Sequence, residues 1–423
     1  MDKFVIHGEK PLSGTVNISG AKNASLALMP ATILAPGSYT LSNTPALRDI
    51  TTMSRLLDSM GMKTSHSGHK MSIDSSRISH YEAPYEHVKK MRASIYVLGP
   101  LLGRYGQAKV SMPGGCAWGP RPINLHLEGM KKLGDEIELE GGYIVARGKH
   151  LRGARILFDI SSVGATGNVL MASVLAKGIT TIDNAAIEPE ITSLAEFLVS
   201  LGAKIQGIGT NKLEIEGVDA LHSKDVTTIP DRIEAGTFLV AGAIGGKKGG
   251  KVRLDHCNPQ HLSAVIAKLE DAGAKISCGY GFIEIQAPEE IQAVSVSTGI
   301  YPEFPTDMQA QWIALMSLAK GTSIVTDTIY HDRFMHVPEL NRLGADVTVK
   351  DNSATVVGGK KLAGAKVMST DLRASASLIL AGLAAEGATE VLRVYHLDRG
   401  YESIEKKLQT VGADIERVKG EEF

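Results

Sequence analysis

Ser200-Leu201-Gly202-Ala203 closes a helix-like run and opens a strand-like one, and the same juncture recurs along the chain. Its counterparts are Ser59-Met60-Gly61-Met62, Lys132-Leu133-Gly134-Asp135, Asp271-Ala272-Gly273-Ala274, Arg342-Leu343-Gly344-Ala345 and Thr410-Val411-Gly412-Ala413. The six glycines lie 68 to 73 positions apart, an internal repeat of about 70 residues. Glycine after the last helical residue is the expected left-handed terminator, and it sets the direction in which the next strand leaves.

Upstream of each juncture a second glycine leads into an alternating strand, as in Gly178-Ile179-Thr180-Thr181-Ile182. The two glycines are 23 to 25 residues apart in five repeats and 28 in the second. Before each such strand the pattern predicts a helix of small and apolar residues, over 21–34, 89–102, 164–176, 231–244, 307–319 and 373–385. Ala, Ser and Gly on faces that would otherwise carry charge imply burial nearly all round. Outer helices, as over 50–60, 194–201 and 262–272, keep the usual mixed polar face. Each unit reads strand, buried helix, strand, surface helix, strand, strand. One unit alone leaves its inner helix uncovered, so several must pack together. The expected class is α/β, with six βαβαββ repeats. Size favours two lobes of three over one ring. The lobes are expected at 21–229 and at 1–20 with 230–423, the strands near 4–6 and 14–18 joining the second lobe, a placement that spacing by itself does not give.

Composition narrows the function. At 423 residues with a formal charge of −1, from 45 basic and 46 acidic residues, nothing points to nucleic acid or to an anionic membrane surface. Cys116, Cys257 and Cys278 are an odd set without metal-like spacing, which fits a reducing cytoplasm. No basic-then-apolar leader and no long apolar run is present, so a cytoplasmic protein without membrane insertion is expected. His66, His69, His80, His331 and His336 lack ligand spacing, and neither a metal nor a cofactor is expected. No phosphate-cradling GxxxxGK[ST] loop occurs.

The added length of the second repeat coincides with Met112-Pro113-Gly114-Gly115-Cys116-Ala117-Trp118-Gly119-Pro120-Arg121-Pro122. Gly and Pro at this density exclude a regular helix or a central strand, so Cys116 is expected on a loop. Charged residues also collect where the buried helices begin. Asp231, Asp307 and Asp371 read equally well as ordinary caps. Lys22, Arg92 and Arg373 do not, because helix N-termini repel cations. An anion shared with free N–H groups is the expected reason, at a site where the lobes meet. Arg333 and Arg399 follow the strands of their repeats in Asp332-Arg333 and Asp398-Arg399, where simple ion pairing is the alternative. Ser161-Ser162-Val163-Gly164 offers either N–H groups for a diphosphate or a routine cap.

The motifs Ser19-Gly20-Ala21-Lys22-Asn23, Met112-Pro113-Gly114-Gly115-Cys116, Gly119-Pro120-Arg121-Pro122, Ser162-Val163-Gly164-Ala165-Thr166, Glu188-Pro189-Glu190-Ile191, Phe304-Pro305-Thr306-Asp307-Met308-Gln309 and Asp398-Arg399-Gly400-Tyr401-Glu402 together resemble the UDP-N-acetylglucosamine enolpyruvyl transferase family over essentially the full chain. The resemblance implies a two-lobed enolpyruvyl-transferase fold, each lobe an inside-out α/β unit of pseudo-threefold symmetry. It implies transfer of enolpyruvyl from phosphoenolpyruvate to the 3-hydroxyl of UDP-N-acetylglucosamine, through a tetrahedral intermediate and with loss of phosphate, in peptidoglycan precursor synthesis. It assigns Lys22, Arg121 and Arg399 to the phosphate of phosphoenolpyruvate, Arg333 and Arg373 to its carboxylate, and Asn23 to both substrates. Cys116 is implied as proton donor to the methylene carbon, site of a covalent adduct and target of fosfomycin. Asp307 is implied at the sugar 3-hydroxyl, as its base. Arg92, Arg121, Pro122, Ile123, Asn124 and Leu125, with Ile160, Ser161, Ser162, Val163 and Ile329, are implied at the sugar nucleotide. Ile160 and Ile187 stand where members carry lysine and arginine, so Ile160 offers only backbone or packing. The competing readings are transfer to shikimate 3-phosphate, against which the Cys116 loop argues, and a silent paralogue, which would lack one of Lys22, Cys116, Asp307 or Arg399. Monomer and weak dimer both stay open.

Overall fold

The computed structural model describes residues 2–89, 91–112, 123–148, 150–245 and 250–420. The terminator glycines behave as their role demands. Gly61, Gly134, Gly202, Gly273, Gly344 and Gly412 all have φ between 94° and 108°, a conformation that costs a residue with a Cβ. Each ends an outer helix, for example Pro189–Ser200 before Gly202, and releases a strand.

The described strands form six four-stranded sheets, one per repeat. In the third, Arg155–Leu157 lies parallel to Ile179–Asp183, with Ile156 opposite Ile182, and the inner helix Val163–Ser173 makes the crossover between them. The sheet continues antiparallel through Lys212–Glu216 to Lys204–Gln206. Every side chain from Ala165 to Ser173 of that helix is buried, and in the fourth repeat so is every residue from Ile233 to Gly245.

Two compact units emerge, Met1–Ser19 with Pro230–Phe423, and Gly20–Ile229. In the first, Asp2–His7 inserts between Ala388–Leu392 and Asp414–Lys419, antiparallel to both, and Gly14–Asn17 opens the fourth repeat's sheet beside Lys251–Asp255. In the second, the corresponding edge of the first repeat is supplied by Val226–Thr227 along Ser38–Ser42. Each unit has its own apolar core.

Two helices differ from expectation. The run 89–102 is not one α-helix: a 3-10 stretch, Arg92–Val97, precedes Leu98–Tyr105. Pro100 explains this, because it cannot donate to the carbonyl four residues back and here falls in the first turn of the α-helix proper, where no intrahelical donor is needed. The fifth inner helix likewise opens with a 3-10 turn, Thr306–Met308, before Gln309–Met316. Among the described residues no helix is long and apolar enough to cross a membrane.

One juncture breaks its own pattern. The residue after the terminator glycine is buried Ala203, Ala274, Ala345, Ala413 or Met62 in five repeats, but in the second it is Asp135, 6% exposed, with neither carboxylate oxygen hydrogen-bonded. Burial pushes its pKa up to about 7. The folded protein therefore holds this proton while the unfolded chain loses it near pH 4, so stability present below that value drains away as pH rises to about 7. Asp135→Ala is expected to stabilise the protein at pH 8 by up to about 4 kcal/mol, with the gain gone at pH 4. Urea unfolding at the two pH values measures it; an equal effect at both would exclude a titrating origin.

Candidate active site

In the unit Gly20–Ile229, Lys22 is the first residue of the inner helix Lys22–Ala31, whose N-cap, Ala21, offers no capping side chain. The entry is held by the Ala21 N–H, which donates to Ile229 O at 2.7 Å. Gly20 lies so close to the Asn43 carbonyl that a Cβ there would sit 1.6 Å from its oxygen. This accounts for the glycine of the Ser-Gly-Ala-Lys-Asn motif. Gly20→Ala is expected to cost about 1–3 kcal/mol by displacing that backbone, and with it Lys22; a thermal scan measures the loss, and an unchanged midpoint would contradict this packing. The Lys22 ammonium lies 3.6 Å from Asp49, a buried residue in the first turn of Arg48–Ser59. Asp49 offsets the repulsion between a lysine and a helix N-terminus, and so keeps the charge in place. Asn23 is exposed beside it.

Arg92 opens the 3-10 stretch, and Ser162 caps Val163–Ser173 by accepting from the Ala165 N–H at 3.3 Å. Ser161, Ser162 and Val163 are half-buried, and Ile160 is 68% exposed, so it makes little packing contact. Ile123, Asn124 and Leu125 lead into the helix Asn124–Lys132. The next residue is His126, which sequence reasoning missed. The Asn168 amide accepts from Gly99 N–H and donates to Ile95 O and to His126 Nδ1 at 3.0 Å. With Nδ1 accepting, the proton resides on Nε2, close to Gly164 at the start of the Ser162-capped helix. Burial, with Arg92 nearby, lowers the His126 pKa to about 4, so the ring stays neutral.

The other unit separates the three aspartates that sequence left equivalent. Asp231 accepts from Ile233 and Glu234 N–H groups, and Asp371 from Arg373 and Ala374: both are caps. Asp307 caps nothing. Its carboxylate stands between Arg333, Nη2 to Oδ1 2.8 Å, and Arg373, Nη2 to Oδ2 3.2 Å. Arg373 Nη1 is buried without a hydrogen-bond acceptor, while Asp231 also lies near enough to favour the Arg373 charge. That orphan donor is a place for a second carboxylate. Gln311 holds the Asp307 carbonyl at 2.9 Å and also donates to Tyr401, over whose ring the Arg373 guanidinium lies at 5.3 Å.

Arg333 is positioned in turn. Its Nη1 donates to Thr306 Oγ1 at 3.0 Å, and Thr306 donates to Asp327 Oδ2 at 2.7 Å. Asp327, fully buried, also accepts from Thr298 Oγ1 and from the N–H groups of Ile329 and Tyr330. It thus ties the Asp307 turn to the loop bearing Ile329 and Arg333. Asp398, expected as an alternative partner of its neighbour, pairs with Arg417 at 2.5 Å. Arg399 ends the 3-10 stretch Val394–Arg399 and is half-buried.

Cys116, Arg121 and Pro122 lie outside the described residues. Of the other cysteines, Cys257 is buried and its thiol is pushed up to about 11 by burial, which makes it a poor nucleophile, while Cys278 is exposed. His336 is buried beside Arg333, and burial with that charge lowers its pKa to about 3.

The family model of EPSP synthase (3-phosphoshikimate 1-carboxyvinyltransferase) matches residues 6–408. The UDP-N-acetylglucosamine 1-carboxyvinyltransferase of Chloroherpeton thalassium is 61% identical over 100% of this chain and 99% of its own length. The protein of the same name from Chlorobium chlorochromatii is 56% identical over the whole of both. Among solved structures, the enolpyruvyl transferase NikO from Streptomyces tendae superposes with a TM-score of 0.90 at 26% identity, covering 99% of each chain. EPSP synthase from Acinetobacter baumannii shares the fold, with a TM-score of 0.75 at 19% identity over 99% of this chain and 100% of that one. The chain belongs to the UDP-N-acetylglucosamine 1-carboxyvinyltransferase family, within the wider group of enolpyruvyl transferases.

Proposed function

We propose that the chain transfers the enolpyruvyl group of phosphoenolpyruvate to the 3-hydroxyl of UDP-N-acetylglucosamine, releasing phosphate, as the names of its full-length relatives indicate. The structural observation that carries the site assignment is Asp307 held between Arg333 and Arg373, with Arg373 keeping one buried donor unused. A carboxylate in contact with two cations is a poor base until a second anion shares them. The carboxylate of phosphoenolpyruvate is that anion in this reading, and its arrival frees Asp307 to take the proton of the sugar hydroxyl.

The sugar oxygen then bonds to C2 of phosphoenolpyruvate while C3 gains a proton, the step the family resemblance assigns to Cys116. In the second half C3 gives a proton back and the C2–O bond to phosphate breaks, leaving the enol ether. Lys22, Arg121 and Arg399 are proposed at the phosphate, where positive charge stabilises the leaving group. Asn23, Arg92, Ile123, Asn124, Leu125 and Ser161 to Val163 are proposed at the sugar nucleotide together with Ile329. His126 joins them, because its neutral Nε2–H donor points toward the start of the same helix. A cytoplasmic location goes with that activity in this reading.

Turnover in D2O tests the reaction type. Addition followed by elimination exchanges the C3 hydrogens, so mass spectrometry of the enolpyruvyl product is expected to show deuterium in its methylene group. A product without deuterium would rule out addition at C3.

A further inference from the structure

Within the unit Gly20–Ile229 a cavity of about 780 Å³ opens where the inner helix Leu98–Tyr105 ends. Arg104, Arg147, His150, Arg152 and Lys177 line it together with Tyr105, and no Asp or Glu is among its described lining residues. None of the five bases makes an ion pair with a described carboxylate. Their neighbours differ: Lys109 pairs with Glu82 at 3.3 Å and Arg155 with Asp183 at 2.9 Å. Asp135, packed beneath Gly148 of the cavity wall, is no counter-ion, since both its oxygens are buried without a partner.

Helix ends explain only part of the charge. Arg104 donates to Ile33 O at 2.7 Å and so closes the 3-10 turn Thr32–Leu34 that follows the first inner helix. Arg147 ends the strand Tyr143–Arg147, and Arg152 and Lys177 face each other across a parallel bridge, so none of these three belongs to a helix. A helix C-terminus offers about half a negative charge, too little for four permanent cations. The volume falls in the range of small-molecule sites, roughly 300–1,000 Å³. Guanidinium forks match phosphate oxygens.

We propose that this cavity is a second anion site, separate from the substrate residues, that binds an oligophosphate: two or more linked phosphates, free or carried on a nucleoside. Four fixed cations exceed what one carboxylate or one phosphate neutralises, and they are confined to one concavity on a chain of net charge −1, which disfavours a long polyanion. Because the bases are largely exposed, binding should weaken with salt.

Isothermal titration of the full chain with sodium tripolyphosphate, and in parallel with adenosine triphosphate, tests this. Binding is expected to persist in Lys22→Ala/Arg399→Ala, which disables the substrate phosphate site, and to weaken about tenfold or more in Arg147→Ala/Arg152→Ala. The latter variant should turn over normally, which shows that it is folded, and Lys177→Ala should weaken binding in the same direction. Equal affinity for the two probes assigns recognition to the phosphate chain, and tighter adenosine triphosphate adds the nucleoside. Absence of binding at millimolar probe, or binding that disappears in Lys22→Ala/Arg399→Ala but survives Arg147→Ala/Arg152→Ala, overturns the proposal.

Discussion

Asp307→Asn is expected to lower kcat by about a hundred- to ten-thousand-fold, the range associated with loss of a positioned general base. The substitution keeps the size of the side chain and its place after Pro305, so the turn Thr306–Met308 should persist. What changes is charge. Arg333 and Arg373 lose the carboxylate that both contact, at 2.8 and 3.2 Å, and Arg373 already has one donor unsatisfied. The carboxylate of phosphoenolpyruvate then meets no competitor for the two guanidiniums. The phosphoenolpyruvate KM is therefore expected to stay level or fall while kcat collapses, a split that generalised damage would not produce. The same charge change costs stability, because two buried cations are left without their counter-ion. Steady-state kinetics decides the matter: kcat within a few-fold of wild type would remove Asp307 from the proton transfer.

Asp327→Ala has the next largest expected effect, and it acts through other residues. Its carboxylate accepts four hydrogen bonds, from Thr298, Thr306, Ile329 N–H and Tyr330 N–H, in a fully buried setting. Removing it orphans donors that water cannot reach, and a loss of about 3–5 kcal/mol is expected. Thr306 also loses the acceptor that orients its hydroxyl toward Arg333. The phosphoenolpyruvate KM should therefore rise in the fraction that remains folded, and Asp327→Asn, which keeps the acceptor oxygen, should recover part of both effects. Urea unfolding and KM measured together separate a positioning role from a purely structural one. A destabilised variant with an unchanged KM would confine Asp327 to stability.

These two aspartates also mark how far sequence carried the site. Asp307 stood in a recognisable motif, yet its position at a helix start was shared by Asp231 and Asp371, and only the arginines 26 and 66 residues away distinguish it. Asp327 offered only the signal of an ordinary Asx turn, to Ile329 and Tyr330, because the threonines that give it its wider role, Thr298 and Thr306, lie 29 and 21 positions upstream. His126 was hidden for the same reason: the amide that sets its tautomer, Asn168, lies 42 positions on. Asp49 had no signal of its own, since an acidic residue in a first helical turn is routine and only its burial beside Lys22 gives it a charge to hold.

The repeat was legible because its signal is local. A glycine that must adopt positive φ after a helix is visible wherever it stands, and all six do so. The break before Pro100 was legible in principle, since a proline well inside the expected run 89–102 removes a donor, but the apolar run around it masked the change from 3-10 to α geometry. The insertion of Asp2–His7 between strands nearly four hundred residues later was not, because strand pairing at that separation leaves no periodicity to read.

Phosphate release by the purified full-length chain, supplied with phosphoenolpyruvate and either UDP-N-acetylglucosamine or shikimate 3-phosphate, tests the assigned transfer most directly. Release with the sugar nucleotide and none with shikimate 3-phosphate is the expected result. Release with shikimate 3-phosphate and none with the sugar nucleotide would contradict it.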